Sequence, residues 1–383
     1  MPDNRKSEPK VNTVVRALTK TYVEKKIAEL KSDPERSIRN LVDLALNLST
    51  GRFQKHFFET AQTMLSNPES GYYKLIPDIV EHVDSERLTT FGVNLGYNSL
   101  TAGAKIIRKQ EAKGGFNVPW VIALAISKET YDSMESAYRS LIEQGKTLGI
   151  YSWIFYVQSG AALPLSLMRA HPDCAFLLIA GASEITEDFL AQAEDLNNLM
   201  ISVKYEKETP HAADIFAAMR SREMLYSAFV FYDMATASKE TVGTYLAELD
   251  SMHPAFTFFA PLLSPASCHS GSFSGPETET AVSGVYDFIE AQRSQQNYAS
   301  IPLDLYYDLQ LIDGVISNDS CSLFFDRNGN LCRECSNTSI DALHLYKGYA
   351  DTLTERLNFK SAPLLSILQT AYKKSRLAEP LAL

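Results

Sequence analysis

No cysteine occurs before Cys174, and the whole 383-residue chain holds only five. So few thiols in so long a chain do not make a disulfide framework, which leaves a reducing compartment, and a cytoplasmic location, as the expectation. The first ten residues, Met1-Pro-Asp-Asn-Arg-Lys-Ser-Glu-Pro-Lys10, carry no apolar signal core, and no apolar run is long enough to cross a bilayer. Basic residues are in deficit, 36 Lys and Arg against 46 Asp and Glu, giving a net charge of −10. That balance argues against a general binder of nucleic acid or of anionic membrane. Phosphate-loop, dinucleotide-turn and zinc-protease patterns are all missing. Gly271-Ser-Phe-Ser-Gly275 imitates a nucleophile elbow but has Phe273 at its centre.

What the chain does have is alternation. Apolar, β-branched and aromatic runs recur at Trp120–Ile126, Tyr151–Gln158, Ala175–Ala180, Leu199–Tyr205, Tyr226–Tyr232 and Ala255–Leu262. Near-continuous runs of this kind suit strands buried on both faces, as parallel strands are. Helical spacing fills the gaps: Tyr131–Leu148, Thr186–Leu196, Pro210–Ser221 and Lys239–Met252. Gly149 stops the first of these helices, and Ser183 and Thr186 are N-cap candidates. Strand–helix alternation at these lengths implies right-handed βαβ units on a parallel sheet. Six units predict an α/β fold, a partial (β/α)6 TIM-like barrel, with a doubly wound sheet as the competing architecture.

Three regions are expected: an N-terminal helical domain over 1–115, the barrel over 116–295, and a C-terminal hairpin and helices over 296–383. In the first, Ser32-Asp-Pro-Glu35 has a capping-box pattern, with Ile38, Leu41, Val42, Ala45 and Leu46 following at helical spacing. Asn67-Pro-Glu69 and Pro77 predict helix starts or breaks, and Gly114-Gly115 marks the junction with the barrel. Beyond Leu263 come a turn-rich loop to Gly275 and a helix near Pro276–Arg293. A β-rich run over Ile301–Ile312 follows, then a hairpin over Cys321–Cys335 turning at Asn328-Gly329 with positive φ angles.

Several pieces, in order, resemble radical S-adenosylmethionine (SAM) enzymes of the SPASM-like branch. They are Phe116-Asn-Val-Pro-Trp120, Glu143–Ile150, Tyr151-Ser-Trp-Ile-Phe155, His171-Pro-Asp-Cys-Ala-Phe-Leu177, Ile185-Thr-Glu-Asp-Phe189, Ile201-Ser-Val203 and the hairpin around Asn328-Gly329. The resemblance covers about residues 116–335, and the preceding helices look like that branch's N-terminal extension. It implies chemistry that depends on three thiolates spaced C-x-x-x-C-x-x-C in the loop after the first strand. They hold three irons of a four-iron cluster whose fourth iron chelates SAM.

That loop here is Ser127-Lys-Glu-Thr-Tyr-Asp-Ser133, without cysteine, histidine or a glycine-rich turn. Against the family's patterns, the Gly-Gly-Glu-Pro turn after the second strand corresponds to Gln158-Ser-Gly-Ala-Ala-Leu-Pro164, which loses the acid. Asn-Gly-Thr after the third strand becomes Ala180-Gly181-Ala182, and Ile-Ser-Val-Glu-Gly becomes Ile201-Ser-Val-Lys-Tyr205. Lys204 thus reverses a charge and repels a cationic sulfonium. No radical SAM cluster, no SAM binding and no catalytic residue are expected.

Barrel sites gather at strand C-terminal ends, which singles out Ser159, Lys204, Tyr205 and Asp233 as ligand-binding candidates, with His269 in the Ser-rich loop beyond. Lys204 and Asp233 form either a base with its electrostatic partner or a salt bridge closing an empty barrel mouth. Cys321, Cys332 and Cys335 offer three thiolates for zinc, with His344 as a fourth ligand, or a vestigial iron–sulfur site as the resemblance implies. A zinc ribbon has two C-x-x-C pairs and this chain has one, so semi-buried structural cysteines are the competing reading. Two functions are compatible with these residues. One is a catalytically inactive radical SAM-like protein whose partner is another protein, such as an intact radical SAM enzyme or its substrate. The other is a barrel mouth reused for small-molecule binding or non-radical catalysis, an idea that fails if Tyr131, Tyr156 and Tyr205 plug the mouth.

Overall fold

The computed structural model describes residues 13–32, 66–206, 211–232, 238–261, 276–317, 321, 323–332 and 357–372, with a few single positions between 39 and 64. Helix α1 (Thr13–Ser32) is followed by α2 (Tyr72–His82), α3 (Ser85–Val93), a π-helix (Asn94–Gly103) and α4 (Ala104–Gly114). Strands and helices then alternate: β1 (Val121–Ile126), α5 (Tyr131–Leu148), β2 (Ser152–Val157), α6 (Leu165–Ala170), β3 (Ala175–Gly181), α7 (Glu187–Ala193) and β4 (Leu199–Lys204). The series continues through α8 (Ala212–Ser221), β5 (Tyr226–Tyr232), α9 (Lys239–Asp250), β6 (Phe256–Pro261), α10 (Pro276–Gln295), β7 (Ile301–Asp304), α11 (Leu305–Ser317), β8 (Leu323–Phe325) and α12 (Leu364–Ala371).

All strand pairs are parallel, in the order β7-β6-β5-β4-β3-β2-β1-β8. The sheet curls as a partial barrel whose edges, β7 and β8, are not bonded to each other. The six predicted strands are its middle, and two further short strands extend it. The helix punctuation follows the expected chemistry. Gly149 caps α5 at φ +98, and Ile150 N–H returns to the Gly145 carbonyl. Gly115 ends α4 at φ +67, and the Thr186 hydroxyl accepts from the Phe189 N–H to start α7.

Three local expectations are corrected, and a fourth is extended. Ser183 is no cap; it lies inside a 3-10 turn, Ala182–Glu184, that carries the chain away from β3. Pro77 lies inside α2, where it costs the helix one N–H bond, and buried Tyr72, Leu75 and Val80 anchor the turns around it. The run Ile301–Ile312 is strand only to Asp304. The Asp304 carboxylate then accepts from the N–H groups of Tyr306 and Tyr307 and caps α11. The hairpin turning at Asn328-Gly329 is present as far as Cys332, with an antiparallel bridge from Phe325 to Leu331 and Cys332 N–H donating to the Phe324 carbonyl, and its first strand, Leu323–Phe325, also joins the main sheet beside β1. Its turn has positive φ only at Gly329, and the Asp326 side chain holds the N–H groups of Asn328 and Asn330. The Asp-Pro-Glu segment after Ser32 and most of the run Ile38–Leu46 lie outside the described residues, as does the loop 262–275.

Alternation along each strand separates two faces. Trp153 packs on Gly145 of α5, where an added Cβ would meet its ring at 2.7 Å. Trp153, Phe155 and Val157 therefore face the helices, and Ile154 and Tyr156 face the concave interior. The register carries that interior level from Ala125 through Tyr156, Ile179 and Ser202 to Ser227. On the helical side, the N-terminal segment is bound to the barrel by polar clasps. Arg220 of α8 forks onto Asp78 of α2 at 2.9 and 2.5 Å. The buried Asn94 amide of the π-helix donates to the carbonyls of Pro172 and Cys174 in the loop before β3.

Candidate functional site

At the C-terminal ends of the strands, the loop after β1 is four residues, Ser127–Thr130. The buried Ser127 carbonyl already accepts from the N–H groups of Thr130 and Tyr131 and so begins α5. The loop's side chains bond among themselves: the Ser127 hydroxyl donates to Glu129, and Ser159 from the next loop lies 3.4 Å from both groups. The Ser159 hydroxyl also accepts from the Lys128 N–H at 3.2 Å, and Thr130 donates to the Arg327 carbonyl beyond β8.

The loop after β2 turns at Gly160, φ +77. Its Gly160 and Ala161 N–H groups, which form a small anion cradle, both donate to the Glu184 carboxylate, at 2.7 and 3.1 Å. The carboxylate on this turn thus comes from the 3-10 segment after β3, and it is an acceptor already engaged by the protein. A four-iron cluster with chelated SAM does not fit these residues: the β1 loop offers hydroxyl, ammonium and carboxylate in place of thiolate, and its acid is already engaged.

Lys204, at the end of β4, points into the interior. Its ammonium lies 3.3 Å from the Tyr156 hydroxyl, 5.8 Å from that ring's centre and 5.5 Å from the Phe231 ring. Among the described residues no carboxylate lies within ion-pair distance of it. Tyr205 is on the opposite face: its hydroxyl donates to Glu248 of α9 and its ring meets Tyr245 edge-on. Tyr131 also lies on the helix side, buried against Tyr138, so of the three tyrosines that together would plug the mouth only Tyr156 faces inward. The structure therefore brings Ser159 to Ser127 and Glu129, brings Lys204 to Tyr156, and leaves Tyr205 apart. Asp233 and His269 lie outside the described residues.

Cys321 is buried just before β8, while the N–H of Cys332 donates to the Phe324 carbonyl, three residues further along. Burial, with some help from the Asp326 charge, pushes the Cys332 thiol up to about 12. Cys335 and His344 lie outside the described residues.

Sequence reasoning missed the most strongly perturbed carboxyl. Asp304 is fully buried, accepts from Tyr232 at 2.7 Å and from two backbone N–H groups, and still has its pKa raised to about 7, because burial outweighs the three donors. Tyr232 and Asp304 lie on the helix face, one residue beyond the inward Phe231 and Leu303, so the pair belongs to the capping of α11 and not to the mouth. Its signal was available in the sequence: an acid directly before Leu305, Leu309, Ile312 and Ile316 at helical spacing.

No family model matches the chain, and a comparison with curated proteins finds no match. Among solved structures the chain is similar to crystal structures of Streptococcus suis SuiB. One SuiB structure gives a TM-score of 0.49 at 7% identity over 93% of this chain and 77% of that one. SuiB bound to S-adenosylmethionine gives 0.48 at 8% identity, over 69% of this chain and 66% of that one, and SuiB bound to the precursor peptide SuiA gives 0.47 at 8% identity over 68% and 67%. A likeness at these values is one of backbone course and carries no inference about chemistry.

Proposed function

We propose that this chain is a radical SAM-like barrel without radical chemistry that works by binding another protein, an intact radical SAM enzyme or that enzyme's substrate. The observation that carries this reading is the Ser127–Thr130 loop: it is four residues long, contains no thiol, and its one carboxylate, Glu129, already accepts from the hydroxyls of Ser127 and of Ser159 in the next loop. A scattered loss of cysteines leaves room for substitute ligands, whereas a loop this short leaves no room for three. The charge at Lys204 and the engagement of Glu184 by backbone N–H groups support the same reading independently.

The contact surface we assign is the N-terminal helical segment. Helix α1 buries Ile27 and Leu30 at one end but exposes Val14 at 69% and Leu18 at 67% at the other. Apolar side chains adjacent on one helix face, in water, mark a contact surface more often than isolated ones do. Co-expression with an intact radical SAM enzyme encoded beside this gene is expected to give a stable complex. The double substitution Val14→Glu and Leu18→Glu is expected to break it without lowering the melting temperature of the free chain. A wild-type chain that elutes as a free monomer in the presence of that enzyme and its substrate would sink the proposal.

A further inference from the structure

Beneath Lys204 the barrel wall is small and polar. Ser202, two residues below it on the same face, and Ser227, its register partner on β5, are both fully buried. Neither hydroxyl makes a hydrogen bond among the described residues. Gln158 continues the β2 ladder past Tyr156 through its N–H to the Ile126 carbonyl, and by alternation it also faces inward. Its buried side-chain oxygen is equally unpartnered. Buried hydroxyls and amides left unpaired are costly, and sheets seldom place three of them on one interior wall without something to satisfy them.

From this wall we infer a ligand site in the barrel interior for a small hydroxycarboxylate. Lys204 is the cation that receives the carboxylate, and the Tyr156 hydroxyl, 3.3 Å from the ammonium, is a second donor beside it. Among the described residues the site offers one ammonium and no arginine fork, which matches a single negative charge better than a phosphate dianion. The Gln158 oxygen accepts from a ligand hydroxyl, and the two serines donate or accept as the ligand requires. The rings of Tyr156 and Phe231 flank the Lys204 ammonium and hold it over the site. This site is separate from the α1 surface, so its test is independent of the partner proposal.

Calorimetric titration of the full chain with D-glycerate tests it. Saturable one-to-one binding is expected, with none for glycerol, which keeps the hydroxyls and lacks the carboxylate. Lys204→Met, which keeps an unbranched stem and removes the charge, is expected to weaken glycerate binding by about tenfold or more, the worth of one charge-assisted hydrogen bond. The pair Ser202→Ala and Ser227→Ala is expected to weaken it similarly while leaving the unliganded melting temperature unchanged or higher, since it removes unpaired buried groups. No saturable binding of glycerate at tens of millimolar, or binding that both variants retain in full, overturns the inference.

Discussion

Replacing Asn94 by alanine is expected to destabilise the protein by about 3–4 kcal/mol. This side chain is fully buried in the π-helix and uses every group it has. Its amide donates to the carbonyls of Pro172 and Cys174 at 2.8 and 2.9 Å, and its oxygen accepts from Arg16 and Asn98 at 2.9 and 3.0 Å. Alanine strands two carbonyls and removes an acceptor from two donors, and each buried group left unsatisfied costs about 1–3 kcal/mol. Asn98→Ala is the internal control. Asn98 is equally buried but does less: it donates to the Asp173 carbonyl at 2.8 Å and to Asn94 at 3.0 Å, while its own oxygen has no partner among the described residues, so its loss is expected to cost about 1–2 kcal/mol. Urea denaturation of the three proteins checks the ranking; an Asn94→Ala loss no larger than that of Asn98→Ala would remove Asn94 as the clasp between the helical segment and the barrel.

The second large effect is one of pH. The Asp304 carboxyl is raised from 3.8 to about 7 in the folded protein, chiefly by burial. A carboxyl raised on folding contributes stability that is complete below the unfolded pKa and is lost as pH climbs through the folded one, because the unfolded chain releases the proton more readily. Over pH 5 to pH 8 this single group is expected to remove about 2–3 kcal/mol of wild-type stability. Asp304→Asn keeps an oxygen for the N–H groups of Tyr306 and Tyr307, and the Tyr232 hydroxyl can reverse to accept from the new amide. The variant therefore lacks this slope, and the gap between the two proteins widens in its favour toward pH 8. Parallel urea midpoints at both pH values settle the matter: equal slopes for the two proteins mean that Asp304 is already ionised at pH 5.

Most of the barrel was legible because buried parallel strands leave continuous apolar runs. The segments Val121–Ile126 and Tyr226–Tyr232 contain little else, and Gly149 ends its helix where its sequence position requires. The edges were less legible for a physical reason. Strand β8 is three residues long, and its place beside β1 depends on a partner two hundred residues away, which no local pattern reports. The π-helix likewise escaped, since its polar residues Asn94, Asn98 and Ser99 read as a solvated face until their partners in the loop before β3 and on β2 are known.

The site divides in the same way. Lys204 was visible from its charge and position, and the thiol-free loop from simple composition. Glu184 was not, because it serves a turn on the neighbouring strand, and Tyr205 could not be assigned a face until the strand was placed against α9. Ser202 and Ser227 pass in sequence for ordinary small strand residues. Only the register that sets them side by side under Lys204 makes them a pair.

Anaerobic reconstitution with iron and sulfide, followed by iron analysis and a SAM-binding titration, tests the central claim most directly. The Ser127–Thr130 loop predicts no cluster of the radical type and no saturable SAM binding. Uptake of about four irons per chain, the content of one radical SAM cluster, together with SAM binding would contradict it.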